Sequence, residues 1–184
     1  KKYKNIKIIN EDILKTNLKK IYKDKYKIIG NIPYNISTKL LLKCIENKSN
    51  ILSIHFMMQK EFVDRIISDS NSKSYGRLTV LMQLFFKCEK LIDIHPSDFS
   101  PQPKVHSSFL KLTPLNEVLL KKEEIEGFLL FTKAIFNKRR KKIKNCLGIN
   151  DIKLYNNIDK RAEELSISDI IKLYREINYD RKFI

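Results

Sequence analysis

The residues of this chain best suited to chemistry lie in the segment GNIPYNIST, residues 30–38. Pro33 forces the residue before it, Ile32, into an extended conformation, which turns the Ile32 carbonyl away from a strand ladder. Asn31 places a side-chain carbonyl beside that group, and Tyr34 adds a flat aromatic face. Two carbonyl oxygens and an aromatic plane fit a flat ring that carries an exocyclic amine, such as adenine.

The adenine amine is a poor nucleophile because its lone pair is delocalised into the ring. If Asn31 and Ile32 accept both of its N–H hydrogens, the nitrogen becomes more pyramidal, and stacking on Tyr34 fixes the base for in-line attack. This chemistry needs no strong general base. The alternative is a turn without catalytic function, because Asn and Pro are common turn residues.

The elements around this segment are those of an α/β sheet. YKIIG, residues 26–30, predicts a buried strand, and Ser37 or Thr38 is expected to cap the helix that follows. ILSIHFMMQ, residues 51–59, predicts a central strand of a covered sheet, and KEFVDRIIS predicts the next helix. A loop at the carboxyl end of a strand in such a sheet faces the crevice in which ligands bind.

The remaining elements change character along the chain. NIKIIN, residues 5–10, predicts a short strand, and LTVLMQLFFKC, residues 78–88, predicts a helix. KLIDIH and VHSSFLKL predict two further strands on either side of the proline-punctuated segment PSDFSPQPK. Only helices are expected beyond Pro114, beginning with EEIEGFLLFTKAIFNKRRKKIKNCL and ending with SISDIIKLYREIN, for which Ser166 or Ser168 is a candidate cap.

Composition restricts the class of protein. The 184 residues include 37 Lys and Arg against 21 Asp and Glu, a net charge of +16 that attracts polyanions such as nucleic acid. The alternative is a general lysine bias without a partner. No apolar run is long enough to cross a bilayer and no secretory signal is present, so we expect a soluble cytoplasmic protein without a membrane partner.

The cysteines and histidines do not predict a metal site. Cys44, Cys88 and Cys146 are widely spaced and lie in apolar surroundings, which indicates reduced, buried thiols. The three histidines have no carboxylate or thiol at metal-ligand spacing, so no metal is expected.

A basic cluster occupies residues 127–150, where the sequence contains no acid. A solvated helix face usually mixes both signs of charge, so a phosphate-binding edge is favoured over that alternative. Its members are Lys133, Lys138, Arg139, Arg140, Lys141, Lys142 and Lys144.

Five blocks of sequence together resemble one family. GNIPYNISTKLL, FMMQKEFVDRI, SKSYGRLTVLMQ, PSDFSPQPKVHSSFLKL and IFNKRRKKIKNCLG, in this order, are similar to the ribosomal RNA adenine N6-dimethyltransferases. YGRLTVLMQ and NKRRKKIKNCL favour the small-subunit branch over the large-subunit branch that confers antibiotic resistance, which also carries NIPYNIST.

The resemblance implies a fold and an activity. The fold is α/β, with an N-terminally incomplete Rossmann-like methyltransferase domain in residues 1–116 and a small all-helical RNA-binding domain in residues 117–184. The activity is dimethylation, with S-adenosyl-L-methionine as cofactor, of two adjacent adenosines near the 3′ end of small-subunit rRNA. The implied partner is the pre-ribosomal small subunit, and the complete protein is expected to be a monomer.

The resemblance also implies roles for single residues. The residues that match the catalytic motif are Asn31, Pro33 and Tyr34. The Ile32 carbonyl joins them as the second acceptor because Pro33 keeps Ile32 extended. The resemblance also implies that Asn31 lies against the methyl donor. Asp12, in NEDIL, matches the acidic residue that accepts a hydrogen bond from the adenine amine of the cofactor.

The segment PSDFSPQPKV is the second place where the resemblance implies contact with the target base. Phe99 matches an aromatic residue that packs against the flipped base, and Pro101 and Pro103 would hold it in a rigid, exposed loop as a stacking platform. The alternative is that Phe99 fills the core. Lys104, beside it, is a candidate phosphate contact.

Two other blocks have less defined roles. Arg77, in SYGRL, is a candidate RNA contact, but it could equally pair with a carboxylate. Gln59, Lys60, Glu61 and Arg65 belong to a block of the family, and we assign them no chemical role beyond shaping a junction between a strand and a helix.

The chain departs from the family pattern at its start. The Gly-rich cofactor loop and the acidic residue that holds the cofactor ribose have no match here, and at about 30 residues per βαβ unit two or more units are expected to be missing. A non-catalytic RNA-binding or ribosome-assembly module is therefore the rival interpretation.

Overall fold

The computed structural model describes residues 5–21, 24–149 and 155–181. A four-stranded mixed sheet lies at its centre. The strands are β1 (Tyr26–Asn31), β2 (Ile51–Gln59), β3 (Phe86–Ile94) and β4 (Ser107–Pro114). The helices are α1 (Leu18–Ile21), α2 (Ser37–Glu46), α3 (Lys60–Ile66), α4 (Arg77–Phe85), α5 (Ile125–Phe136), α6 (Ile143–Leu147) and α7 (Ile167–Arg181).

The strand order is β1-β2-β4-β3. β1 and β2 are parallel and are joined through α2, whereas β4 runs antiparallel to both β2 and β3. The central position of β2 explains its apolar run, because Ile54, Phe56 and Met58 are all buried. β1 lies at one edge of the sheet formed by the described residues, and Ile29 in it is 75% exposed.

The predicted strand at residues 5–10 is wrong. This segment has no regular secondary structure, and Ile8 is 89% exposed. An apolar, β-branched run becomes a strand only when a neighbouring strand satisfies its backbone groups, and no described strand pairs with this one.

The predicted cap of α2 is also wrong. The residue that precedes α2 is Ile36, which makes no side-chain cap. Ser37 is buried in the first turn, where its hydroxyl donates to the Pro33 carbonyl at 3.4 Å, and Thr38 is exposed. A 3-10 turn over Tyr34–Ile36 leads directly into the helix, so the first turn continues an existing spiral and needs no cap.

The predicted helix over residues 78–88 ends earlier than expected. α4 stops at Phe85, and Phe86 begins β3, so residues 86–88 are strand and not helix. Phe86 and Cys88 pair with β4 opposite Pro114 and Leu112. Aromatic and apolar residues suit both elements, and here the pairing partner decides between them.

The helical region is interrupted where its positive charge is highest. α5 ends at Phe136 and α6 begins at Ile143, so residues 137–142 form an irregular connection within the segment expected to be helical. Five consecutive cations at residues 138–142 would repel one another at helical spacing. Ser166 caps α7 as predicted, because its hydroxyl accepts a hydrogen bond from the Asp169 amide at 3.2 Å.

The helical region packs against the sheet region through one continuous hydrophobic core. The rings of Tyr75, before α4, and Phe136, in α5, lie 6.3 Å apart. α5 and α7 meet at Gly127, where an added Cβ would overlap the Tyr174 hydroxyl and lie 3.3 Å from the ring carbon that carries it. The division at residues 116 and 117 remains a prediction, since the core crosses it.

Cys44 is buried, and burial raises the pKa of its thiol to about 12, as it does for Cys88. Within the described ranges, no three His, Cys, Asp or Glu side chains are grouped so that they could hold a metal ion. No helix in these ranges has the length and hydropathy needed to span a membrane.

Candidate active site and nucleic-acid interface

The segment Asn31–Tyr34 leaves the sheet at the carboxyl end of β1. The Ile32 amide donates to the Met57 carbonyl at 3.1 Å, which prolongs the pairing of β1 with β2 by one residue. Pro33, at φ −57° and ψ 133°, then directs the chain into a 3-10 turn. The Ile32 side chain is buried, whereas Asn31 and Tyr34 are exposed.

The hydrogen-bonding groups of this segment are available to a ligand. Within the described part of the chain, the Asn31 side-chain amide has no hydrogen-bond partner, and the Ile32 carbonyl accepts no hydrogen bond. Tyr34 is 45% exposed. The local structure of the described residues therefore presents two unoccupied acceptors beside a partly exposed aromatic ring.

The strand register brings three loops to one end of the sheet. Asn31 pairs with Met57 near the end of β2, and Gln59, the last residue of β2, pairs with Ser107, the first of β4. Ile94, the last residue of β3, also pairs with Ser107. The segments that follow β1, that follow β2 and that connect β3 to β4 therefore meet at this end.

Phe99 lies in the connection between β3 and β4, which we call the 95–106 loop. Its side chain is half-buried and lies outside the hydrophobic core, so the interpretation of Phe99 as a core residue is not favoured. The Phe99 amide donates to the Pro96 carbonyl at 3.2 Å. At the base of the loop the rings of His95 and His106 pack edge to face, and their centroids lie 4.8 Å apart.

A network of charges fixes both ends of the 95–106 loop. Asp93, two residues before the loop, accepts a hydrogen bond from the Ser108 hydroxyl, and its carboxylate lies 3.8 Å from Lys60 and 3.5 Å from Lys90. The hydrogen bond from Ser108, opposed by desolvation, holds the pKa of Asp93 below its usual value. Lys60 and Lys90 also both pair with Asp64 of α3.

A cavity of about 540 Å³, which we call the β1 cavity, runs along β1 and reaches Asn31–Pro33. Its walls are mostly apolar and include Ile13, Leu18 and Ile21, and none of its described lining residues is a carboxylate. Asp12, next to Ile13, is exposed, and one oxygen of its carboxylate accepts a hydrogen bond from the Leu14 amide at 2.9 Å. The second Asp12 oxygen makes no described contact.

A second cavity, of about 320 Å³, lies between the start of α3 and the end of the 95–106 loop. We call it the Gln59 cavity; its lining residues are Gln59, Lys60, Glu61, Lys104, Val105 and His106. The sequence assigns Gln59 and Glu61 no role. One feature of the sequence points to this cavity: Gln59 and Glu61 lie where one strand ends, and residues 104–106 lie directly before another strand begins.

Three of the predicted RNA-binding residues make contacts within the chain. Arg77 is half-buried and donates to the Leu129 carbonyl of α5 at 3.2 Å, and desolvation lowers its pKa. Arg139 donates to the carbonyls of Lys73 and Tyr75 and lies 3.3 Å from Glu163. Lys142 pairs with Asp159 at 2.6 Å. These side chains connect parts of the fold.

The other predicted RNA-binding residues are exposed without such contacts. Lys138, Arg140 and Lys141 lie in the connection between α5 and α6, and no ion pair or side-chain hydrogen bond of theirs is found among the described residues. Lys104 is exposed at the mouth of the Gln59 cavity. These four cations are available to phosphate groups.

Known proteins of similar sequence agree on the family. The family described as Ribosomal RNA adenine dimethylase matches residues 1–179. A ribosomal RNA small subunit methyltransferase A from Wigglesworthia glossinidia brevipalpis is 42% identical over 177 residues, which cover 92% of this chain and 68% of the relative. The protein of the same name from Francisella tularensis subsp. novicida (strain U112) is 40% identical over 185 residues, covering 94% and 69%.

Known structures agree on the fold. A dimethyladenosine transferase from Plasmodium falciparum superposes with a TM-score of 0.82 at 24% identity, covering 97% of this chain and 74% of the other. The 23S rRNA methyltransferase ErmE gives 0.65 at 21% identity, covering 95% and 72%. The predicted Rossmann-like methyltransferase fold is confirmed. From the match over residues 1–179 and these relatives, the chain belongs to the ribosomal RNA adenine dimethylase family.

Proposed function

We propose that this chain provides the adenosine-binding and catalytic residues for S-adenosyl-L-methionine-dependent dimethylation of two adjacent adenosines in small-subunit rRNA, in the cytoplasm. The observation that carries this proposal is the pair of unoccupied acceptors, Asn31 Oδ1 and the Ile32 carbonyl, beside the exposed ring of Tyr34. The names of the relatives support the small subunit as the source of the substrate.

The catalytic step follows from these groups. The two acceptors hold both hydrogens of the N6 amine, which directs the nitrogen lone pair out of the ring plane toward the methyl donor. Tyr34 supports one face of the base, and Phe99, at the same end of the sheet, supports it from the loop side. The base must leave its stack to reach this position. As the nitrogen takes up the methyl group it becomes positively charged, and its N–H groups become stronger hydrogen-bond donors, so the two acceptors favour the transition state over the ground state. The methylated nitrogen then becomes neutral by losing one N–H proton to water.

The cofactor supplies the methyl group when bound, and the described residues fit two parts of it. Asp12 has a free carboxylate oxygen for its adenine amine, and Asn31 would contact its reactive end. The ribose hydroxyls and the amino-acid end need charged or polar partners, and the walls of the β1 cavity are mostly apolar, with no carboxylate among its described lining residues. The fit is therefore partial, and the affinity of these residues for the cofactor is expected to be low.

RNA is held by the exposed cations and not by the whole basic cluster. Lys138, Arg140 and Lys141 form one contact region, and Lys104, near the proposed base site, forms another. Phosphate contacts of this type position the RNA without reading its sequence. The selection of adenosine thus falls to Asn31 and Ile32.

A second candidate function is RNA binding without methyl transfer. The observation that favours it is the lining of the β1 cavity, in which no described residue offers a carboxylate to a ribose. Both candidates share the basic surface and the adenosine site, and they differ only in turnover.

The two candidate functions are distinguished by measuring methyl transfer from labelled S-adenosylmethionine to a small-subunit rRNA fragment. The cofactor is supplied at millimolar concentration because the described residues fit it only in part. Asn31→Ala is expected to reduce incorporation by about 100-fold or more, since it removes an acceptor needed in the transition state. Asn35→Ala is the matched control, because Asn35 is an exposed asparagine in the same turn. Tyr34→Phe should retain activity and Tyr34→Ala should lose it.

If the Asn31→Ala and Asn35→Ala proteins incorporate the same amount of labelled methyl group into the RNA, Asn31 has no role in the catalytic step. No incorporation by the unmodified chain, with RNA binding intact, would favour the second candidate.

A further inference from the structure

The Gln59 cavity combines three groups that have no partner within the described residues. These are the Gln59 side-chain amide, the Glu61 carboxylate and the Lys104 ammonium. Its volume of about 320 Å³ lies at the lower end of the roughly 300–1,000 Å³ range of small-ligand sites. The imidazole of His106 adds a flat ring to the wall.

The frame of this cavity is fixed. The Lys60 amide donates to the His106 carbonyl at 2.9 Å, and Gln59 pairs with Ser107 in the sheet. The Lys60 ammonium is bound to Asp64 and faces Asp93, so it does not compete for a ligand in the cavity. Gln59 is therefore held at the end of β2, Glu61 lies in the first turn of α3, and Lys104 lies in the loop three residues before β4. The two strand ends that carry these segments cannot separate without breaking the sheet.

The cavity lies one strand away from the adenosine site. Asn31 ends β1, Gln59 ends β2, and adjacent strands lie about 4.8 Å apart. A chain of nucleotides that places one base against Asn31 would bring its neighbour to the mouth of the Gln59 cavity.

We propose that the Gln59 cavity binds the nucleotide adjacent to the target adenosine, and that it prefers adenine. The Gln59 amide can donate to N7 and accept from N6 of adenine, the bidentate pairing by which Gln recognises this base. Glu61 supplies a further acceptor, His106 a surface for stacking, and Lys104 a contact for the phosphate. This inference rests on the proposed function, because it assumes that the substrate is an RNA with unstacked adenosines.

Such a cavity would explain how one active site serves two neighbouring adenosines. While one base is in reach of Asn31, the other is held next to it, and a shift by one nucleotide exchanges their positions. The methylated product of the first reaction would still present N7 to the Gln59 amide.

Binding of the 184-residue chain to labelled RNA hairpins, measured by fluorescence anisotropy, tests the proposal. The hairpins carry two unpaired loop nucleotides, which are AA, AU, UA or UU, in the same stem. The unmodified chain should bind AA about tenfold more tightly than AU or UA. Gln59→Ala should bring this ratio close to one for the mixed loop that keeps an adenine against Asn31. Lys104→Gln should weaken all four complexes to a similar extent.

Gln102→Ala is the matched control, since Gln102 is an exposed glutamine of the 95–106 loop that does not line the cavity. It should keep the preference for AA. His106→Leu, which removes the imidazole and keeps an apolar side chain, gives an independent reading and should also reduce the preference.

Binding of all four hairpins with equal affinity by the unmodified chain would overturn this inference. It would leave the proposed role of the exposed cations in RNA binding unaffected. A preference for AA over both AU and UA that survives Gln59→Ala would overturn it as well. Absence of any RNA binding would instead count against the proposed function.

Discussion

Arg139 and Arg140 are adjacent in the sequence but occupy different environments. The guanidinium of Arg139 binds two carbonyls before α4 and pairs with Glu163, whereas Arg140 is exposed without a described contact. The sequence alone does not show which arginine stabilises the fold and which is free to bind RNA, because both contribute the same charge to the basic cluster. The contacts assign one to the fold and leave the other for a ligand.

This difference predicts opposite outcomes for two alanine substitutions. Arg140→Ala should leave stability unchanged and reduce the slope of log affinity against log salt by about 0.7–0.9, the value expected for one lost phosphate contact. Arg139→Ala should keep the slope and lower the free energy of unfolding by about 1 kcal/mol, since hydrogen bonds from a half-exposed charged group are lost. RNA titrations at several salt concentrations and urea unfolding measure the two quantities. The same change of slope in both proteins would contradict the assignment.

The residues of the adenosine site could be predicted from the sequence because their chemistry is local. The extended conformation of Ile32 follows from Pro33, and the position of the segment follows from the strand before it. The Gln59 cavity could not be predicted in this way. It depends on the pairing of Gln59 with Ser107, two residues that are far apart in the chain.

At the scale of elements, prediction succeeded where one segment determines its own structure. The central strand β2, the strand β4 and the helix α3 agree with their apolar patterns. Prediction failed where a distant partner decides, as at residues 5–10, which have no described strand beside them, and at Phe86, where β4 turns the end of a predicted helix into a strand.

The connection between α5 and α7 predicts a dependence of stability on pH. Arg175 of α7 binds the carboxylate of Glu124 through two nitrogens, at 2.8 and 3.0 Å, just before α5 begins. The hydrogen bonds from Arg175 lower the pKa of Glu124 to about 2. A folded-state pKa below the ordinary value of 4.5 means that the contribution to stability is complete above about pH 4.5 and is lost as the pH falls toward 2.

Glu124→Gln should therefore lower the free energy of unfolding by about 1 kcal/mol at pH 7 and by progressively less below pH 4.5. Glu126→Gln is the matched control, because Glu126 lies exposed in the first turn of the same helix without a described partner. Urea unfolding between pH 3 and pH 7 supplies the comparison. A difference between the two variants that stays constant over this range would show that the ion pair has no part in it.

At the scale of the whole molecule, the sheet formed by the described residues ends at β1 on one side. β1 is an edge strand among the described residues, its Ile29 is exposed, and the β1 cavity lies beside it. Apolar edge strands tend to pair with other chains. The residues of the proposed adenosine site and the exposed cations, in contrast, all lie within the described residues.

The described lining of the β1 cavity predicts weak cofactor binding by a chain that still binds RNA. This lining offers no carboxylate to the ribose, and the loss of two charge-assisted hydrogen bonds of about 1.5–3 kcal/mol each would weaken a micromolar site to about millimolar. Isothermal calorimetry with S-adenosylmethionine should therefore give no binding in the micromolar range. Micromolar affinity in a monodisperse sample would show that the β1 cavity is not the cofactor site of this chain.

The close contact of Gly127 with Tyr174 has a consequence for the tolerance of the chain to variation. At position 127 even the smallest side chain meets an aromatic ring that is itself buried, so glycine is the one residue that fits. At Gly76 an added Cβ would meet no atom within 4 Å, and its backbone is extended, a conformation open to every residue type. Saturation mutagenesis scored by yield of folded protein should accept many residues at position 76 and glycine alone at position 127. Recovery of folded Gly127→Ala protein at the level of Gly76→Ala would mean that α7 can shift away from α5 at little cost.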